Sequence, residues 1–167
     1  MVAYMETGKQ QILSLLEQVP DPEVPVLSVI DLGIVRDVKF NNGEVEVIIT
    51  PTYSGCPAMD VISMEIKMIL LEHGFKKVTV THILSPAWTT DWMSEAGKEK
   101  LKAFGIAPPN PTRPVCDIRL FAEEEAVQCP HCQSYHTRMI SQFGSTACKA
   151  LYQCNDCLEP FDYFKCH

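Results

Sequence analysis

Eight cysteines stand in the 167 residues of this chain, and their spacing sorts them into groups with different chemistry. Cys129-Pro130-His131-Cys132 and Cys154-Asn155-Asp156-Cys157 are two CxxC turns separated by 21 residues. Each turn can offer two thiolates to one tetrahedral ion, and zinc suits four sulfurs without any redox demand. A redox pair or an iron–sulfur centre would use the same spacing, so both remain open at this point. Cys148 lies six residues before Cys154 and faces the same way along a regular strand, while Cys166 closes the aromatic run Phe161-Asp162-Tyr163-Phe164. Either is an additional metal ligand or a small core residue.

Cys56 stands apart, in the stretch PTYSGCP between a strand-like run and a helix-like run. Proline at the first position of a helix loses no hydrogen bond, so Pro57 is expected at the start of the helix and Cys56 at its N-cap. There the unpaired N–H groups and the helix dipole favour thiolate. The expectation is a reactive thiolate or a transient metal ligand, against a small buried cap residue. The carboxylates of Asp21 and Glu23 on the stiff loop DPEVP, Thr52 before the cysteine turn, and His82 could complete a site. Carboxylate with thiolate can hold iron, and thiolate with histidine can make a nucleophile. No clear catalytic triad accompanies Cys56, so catalysis by the chain itself stays unassigned.

The elements that must position these groups are legible from periodicity. Ile12, Leu15, Leu16 and Val19 fall at helical spacing over 8–18, and Pro20 ends that helix. Residues 34–40 and 44–50 alternate on either side of Asn42-Gly43, a hairpin signal. The helix over 57–73 carries two stripes, Met59/Ile62/Ile66/Ile69/Leu70 and Val61/Met64/Met68/Leu71. The second needs its own cover: the C-terminal module, another subunit or a client protein. Residues 76–84 read as a third strand with Val78, Val80, His82 and Leu84 on one face, followed by a short helix near 94–104. The order is α-β-β-α-β-α, an α+β layer of helices on a small mixed or antiparallel sheet.

Domain 1–105 is then followed by a proline-rich linker and connecting strand over 106–128, with strand-like residues 115–121 and a solvated turn at Glu123-Glu124-Glu125. Residues 129–167 form a zinc-ribbon-like module, with strands at HTRMI, ACKALYQ and PFDYF. Such a module is too small to hold itself by burial. Structural zinc contributes on the order of 10–16 kcal/mol to small finger peptides.

The net charge is −7. All of it falls on residues 1–128, with 18 acidic against 11 basic side chains. Neither part is basic, which argues against a nucleic-acid partner. The opening residues lack a basic start and a long apolar run, and no stretch of roughly 18 apolar residues occurs, so neither an export signal nor a membrane span is expected. The expected location is the cytoplasm, where disulfides are a poor explanation for the cysteines.

The segments DPEVPVLSVIDLGIVRDV, TPTYSGCP and LSPAWTTDWMS together resemble the small iron–sulfur assembly domain of cytosolic cluster-targeting factors. The cysteine-rich tail is similar to that of one branch, the PaaD (PaaJ) family of phenylacetyl-CoA epoxidase systems. The likeness runs over about residues 10–166. It implies an accessory protein of phenylacetate catabolism rather than part of the catalytic core, assisting maturation of iron–sulfur or other metal centres. It implies Cys56 with Thr52 as the cluster or client contact, and maps the family's D-P-E loop to Asp21, Pro22 and Glu23. It further implies the epoxidase components as partners, above all the iron–sulfur reductase, and transient iron or an iron–sulfur cluster as cargo. A homodimer is left open, as is an integral epoxidase component that handles no metal.

Overall fold

A computed structural model describes residues 2–109 and 127–165, with side chains from Gly8 onward. The expected strand at 115–121, the Glu123-Glu124-Glu125 turn and Cys166 lie outside the described residues. The chain divides into two compact units, Met1–Trp88 with Trp92–Ser94, and Thr89–Asp91 with Glu95–His167.

In the first unit, helix α1 (Val2–Leu16) begins earlier than the apolar periodicity indicated. Gly8 within it is explained by packing, since a Cβ there would lie 2.5 Å from the Phe40 ring. Strands β1 (Val35–Asn41) and β2 (Glu44–Ile49) form the expected antiparallel hairpin. Asn42 (φ 50°) and Gly43 (φ 83°) both take the left-handed conformation that such a tight turn demands. Helix α2 (Ala58–Glu72) then carries the chain back so that β3 (Lys77–His82) pairs parallel to β2. The sheet order is β1-β2-β3, so the sheet is mixed. Val45, Val47 and Ile49 of the central strand are buried, as are Ile12 and Leu16 of α1 and Ile62, Ile66 and Leu70 of α2.

The second stripe of α2 is exposed: Val61 at 46%, Met64 at 63%, Met68 at 52% and Leu71 at 50%. His82 departs from its expected place on an apolar face. It is exposed, with Nε2 2.8 Å from Ser63 Oγ on α2. β3 is an edge strand, and the apolar alternation expected to run on to Leu84 ends at solvent, with Leu84 66% exposed.

The segment joining α1 to β1 is irregular yet buries Val19, Val24, Leu27, Val29, Leu32 and Ile34. Two aspartates organise it. Asp21 Oδ1 accepts the N–H groups of Glu23 (2.9 Å) and Val24 (2.7 Å), which closes the DPEVP turn. Asp31 Oδ2 accepts both the N–H (3.0 Å) and the hydroxyl (2.9 Å) of Ser28. Trp88 is buried and donates Nε1–H to the Leu32 carbonyl at 2.9 Å, so this indole anchors a loop.

The second unit contains α3 (Glu95–Ala103), β4 (Ile106–Ala107), β5 (Thr137–Ser141), β6 (Lys149–Cys154) and β7 (Pro160–Phe164). The three ribbon strands match the expected segments. Sheet order is β4-β7-β6-β5, with β4 parallel to β7 and the other pairs antiparallel. β4 comes from the start of the proline-rich segment, and α3 groups with this unit rather than with the first. The core is Ala107, Val127, Cys129, Ala150, Tyr152, Cys154, Phe161 and Tyr163. Tyr152 stacks on Phe161 and meets Tyr163 edge-on. So small a core leaves the fold dependent on its cysteines.

Candidate functional site

The two CxxC turns come together at one end of the β5–β6–β7 sheet. Gln133 (φ 64°) follows the first turn and Leu158 (φ 66°) the second, each reversing the chain in a left-handed conformation. The Sγ atoms of Cys129, Cys132, Cys154 and Cys157 all lie within 4.8 Å of one another. Two approaches cross between the turns, 3.7 Å for Cys129–Cys157 and 3.5 Å for Cys132–Cys154. A tetrahedron with zinc–sulfur bonds of about 2.3 Å has edges of about 3.8 Å, so this donor set fits one four-sulfur ion. Among the described residues it is the single such cluster.

Backbone N–H groups surround these sulfurs. The Cys157 and Asp156 N–H groups point at Cys154 and draw its thiol down to about 7. The Glu159 N–H acts on Cys157 in the same sense, but desolvation and the neighbouring sulfurs push that thiol up to about 12. Four thiols so close cannot all ionise unaided, and a divalent cation held by them would supply the compensating charge. Around this centre, Ser134 donates its hydroxyl to Asp156, whose other carboxylate oxygen lies 3.0 Å from His136 Nδ1.

Cys148 is not in the cluster. It is buried, with Sγ 3.0 Å from Thr146 Oγ1, and its C=O accepts the Lys165 N–H. His131 is exposed on the first turn.

Cys56 lies one residue earlier relative to its helix than expected. Pro57 (φ −71°, ψ −18°) is the N-cap of α2, and the helix begins at Ala58. The turn before it closes through the Cys56 N–H to Tyr53 C=O bond at 3.3 Å, with Gly55 left-handed (φ 86°). The Cys56 thiol is half-buried, and burial raises its pKa above the ordinary value. The Ala58 N–H bonds the sulfur and works the other way, as expected of a helix N-terminus. The Tyr53 side chain does the same, while the carboxylates of Glu23 and Asp21 add to the rise. The balance lies above the ordinary cysteine value, opposite to the lowering that a helix N-terminus alone favours. One helix end does not outweigh desolvation reinforced by two nearby negative charges.

The structure thus brings Asp21 and Glu23 into electrostatic reach of Cys56. Asp21 is buried and committed to the turn, whereas Glu23 is half-buried. Thr52 is half-buried in the same loop as Cys56. Tyr53 was missed in the sequence. A tyrosine three residues before a cysteine carries no signal until the Gly55 turn folds its ring back.

Two family models match this chain: an iron–sulfur cluster assembly protein over residues 9–81 and a PaaD zinc beta ribbon domain over residues 114–165. The chain is 52% identical over 157 residues to a putative 1,2-phenylacetyl-CoA epoxidase subunit of Escherichia coli (strain K12), covering 93% of this chain and 92% of that protein. It is 39% identical over 95 residues to the Fe-S protein maturation auxiliary factor YitW of Bacillus subtilis (strain 168), covering 56% of this chain and 92% of that one. A crystal structure of a domain of unknown function, DUF59, from Bacillus anthracis is similar with a TM-score of 0.58 and 27% identity, over 60% of this chain and 97% of that one.

Proposed function

Because the chain belongs to the PaaD family, an iron–sulfur assembly domain followed by a zinc beta ribbon, we propose that it is an accessory protein of a phenylacetyl-CoA epoxidase system that helps install iron–sulfur or other metal centres. In this reading it works in the cytoplasm and is not itself a catalyst. Its clients are the epoxidase components, foremost the iron–sulfur reductase, and the cargo is iron or a cluster held in transit. The ribbon holds one structural zinc through Cys129, Cys132, Cys154 and Cys157, and Cys148 is a core residue.

The observation that carries the reading is the setting of Cys56 within electrostatic reach of Glu23 and Asp21, in the segment that matches the assembly domain. Burial disfavours a bare thiolate, and the two carboxylates add to that effect. They favour any cation at the sulfur, where the thiol proton leaves to solvent as the metal arrives. A group that ionises only in the presence of cargo suits transfer better than storage. Thr52 and the Ala58 N–H flank the same sulfur-bearing turn.

The test is to purify the parent and Cys56→Ser without oxygen and to measure zinc, iron and acid-labile sulfide, together with the cluster content of co-expressed reductase. The expected result is about one zinc per chain in both, with reductase cluster content lowered in Cys56→Ser. A second reading, an integral epoxidase component that handles no metal, is favoured by the exposed Val61/Met64/Met68/Leu71 stripe, which offers a partner or a second copy an adaptable apolar face. Unchanged client cluster content in Cys56→Ser would select it.

A further inference from the structure

We propose that Ser134, His136 and Asp156 form a clasp that locks the two CxxC turns onto each other and sets how slowly the ribbon's metal leaves. The inference rests on reading the four-cysteine centre as a zinc site. Ser134 belongs to the first turn: its C=O accepts the Cys129 N–H at 2.8 Å and its N–H points at the Cys132 sulfur. Asp156 belongs to the second: it lies between Cys154 and Cys157, and its N–H points at the Cys154 sulfur. The Ser134 hydroxyl donates to Asp156 Oδ2. Asp156 Oδ1 accepts Nδ1–H of His136 at 3.0 Å. His136 in turn donates its backbone N–H to Ser134 Oγ at 2.9 Å and accepts the Asn155 N–H at its C=O at 2.8 Å. The result is a closed ring of hydrogen bonds that crosses from one metal-binding turn to the other.

The His136 and Asp156 side chains are 69% and 55% exposed, so the pair adds little to global stability. Its leverage is local. A four-thiolate site releases its ion when one turn peels from the other, and here peeling must break the two links to Asp156 and the Asn155 N–H bond to His136 together. Partners outside the ligand set act in this way, and their loss costs about 10–100-fold in metal retention. His136 and Asp156 are therefore positioning residues, acting through the cysteines.

The experiment follows zinc transfer from the full-length, zinc-loaded chain to the chelator 4-(2-pyridylazo)resorcinol. Asp156→Ala and His136→Ala are expected to speed release about tenfold or more, and the double variant to be no faster than the quicker single. His136→Asn, whose amide nitrogen stands near the position of Nδ1, should return the rate to within about twofold of the parent. Cobalt-loaded variants should keep the parent's visible band, which a merely misfolded centre would lose. Should Asp156→Ala fail to load cobalt, Ser134→Ala reports the same link from the first turn, and release at the parent rate there overturns the clasp. Parent-like rates in the alanine variants, or no recovery with asparagine, also overturn it. A parent chain that takes up neither zinc nor cobalt overturns the clasp together with the zinc reading, a result distinct from failure of the clasp alone.

Discussion

Asp31 and Ser94, 63 positions apart in the chain, hold each other by two hydrogen bonds: Ser94 Oγ donates to Asp31 Oδ1 at 3.0 Å, and the Ser94 N–H donates to the Asp31 carbonyl at 2.9 Å. With Ser28 on its second oxygen, the buried Asp31 carboxylate ties the irregular segment before β1 to the segment after Trp88. Asp31→Ala strands two donors in the interior, the N–H and hydroxyl of Ser28. Each costs about 1–3 kcal/mol, so a loss of about 2–4 kcal/mol in urea unfolding is expected. A change below about 0.5 kcal/mol would mean that water replaces the carboxylate.

Two left-handed glycines should respond differently to alanine. A Cβ at Gly33 (φ 66°) would lie 2.1 Å from the Trp92 carbonyl oxygen, a backbone atom that cannot step aside, while one at Gly55 (φ 86°) meets nothing within 4 Å. Gly55→Ala should cost only the conformational strain, about 1 kcal/mol. Gly33→Ala should cost clearly more, because the loop after Trp88 must shift as well. Equal denaturation midpoints for the two would contradict the close approach.

Burial raises the Cys56 thiol above the ordinary cysteine value. Its alkylation in the zinc-loaded protein should therefore be slow near pH 7 and accelerate as pH rises through that raised value. Glu23→Gln removes a nearby negative charge, so the titration should move to lower pH. Tyr53→Phe removes a donor to the sulfur, so it should move to higher pH. Mass spectrometry of the iodoacetamide-modified Cys56 peptide across pH gives the three midpoints, and their order is the check.

Removing the ribbon's metal should unfold one unit and spare the other. Hydrogen exchange after chelation should lose protection in β5, β6 and β7, whose core is small, and keep it in β1, β2 and β3. Both tryptophans, Trp88 and Trp92, belong to the first unit, so tryptophan fluorescence should barely change. Loss of protection throughout the chain would show that the units depend on each other.

Much of this protein can be read locally. Two CxxC turns 21 residues apart state a four-sulfur site, because ligand spacing within a tight turn is a property of a few bonds. Asn42-Gly43 states a hairpin, because only residues tolerant of positive φ make that turn. The motifs of the Cys56 turn and the Asp21 loop marked them as a candidate site, and both fall in the first unit.

Other features depend on residues distant in sequence, and only the tertiary structure decided them. The direction in which the Cys56 thiol shifts is set by its burial in the folded unit, reinforced by Glu23 and Asp21 from far earlier in the chain, and is opposite to what the helix terminus alone favours. The parallel course of β3, the pairing of Ile106 and Ala107 with β7, and the exposure of His82 follow from which strand lies beside which. So does the ring joining Ser134 and His136 to Asp156. Spacing and periodicity are carried by covalent geometry and need no partner, whereas electrostatic balance and strand neighbours are sums over groups that meet only when the chain has folded.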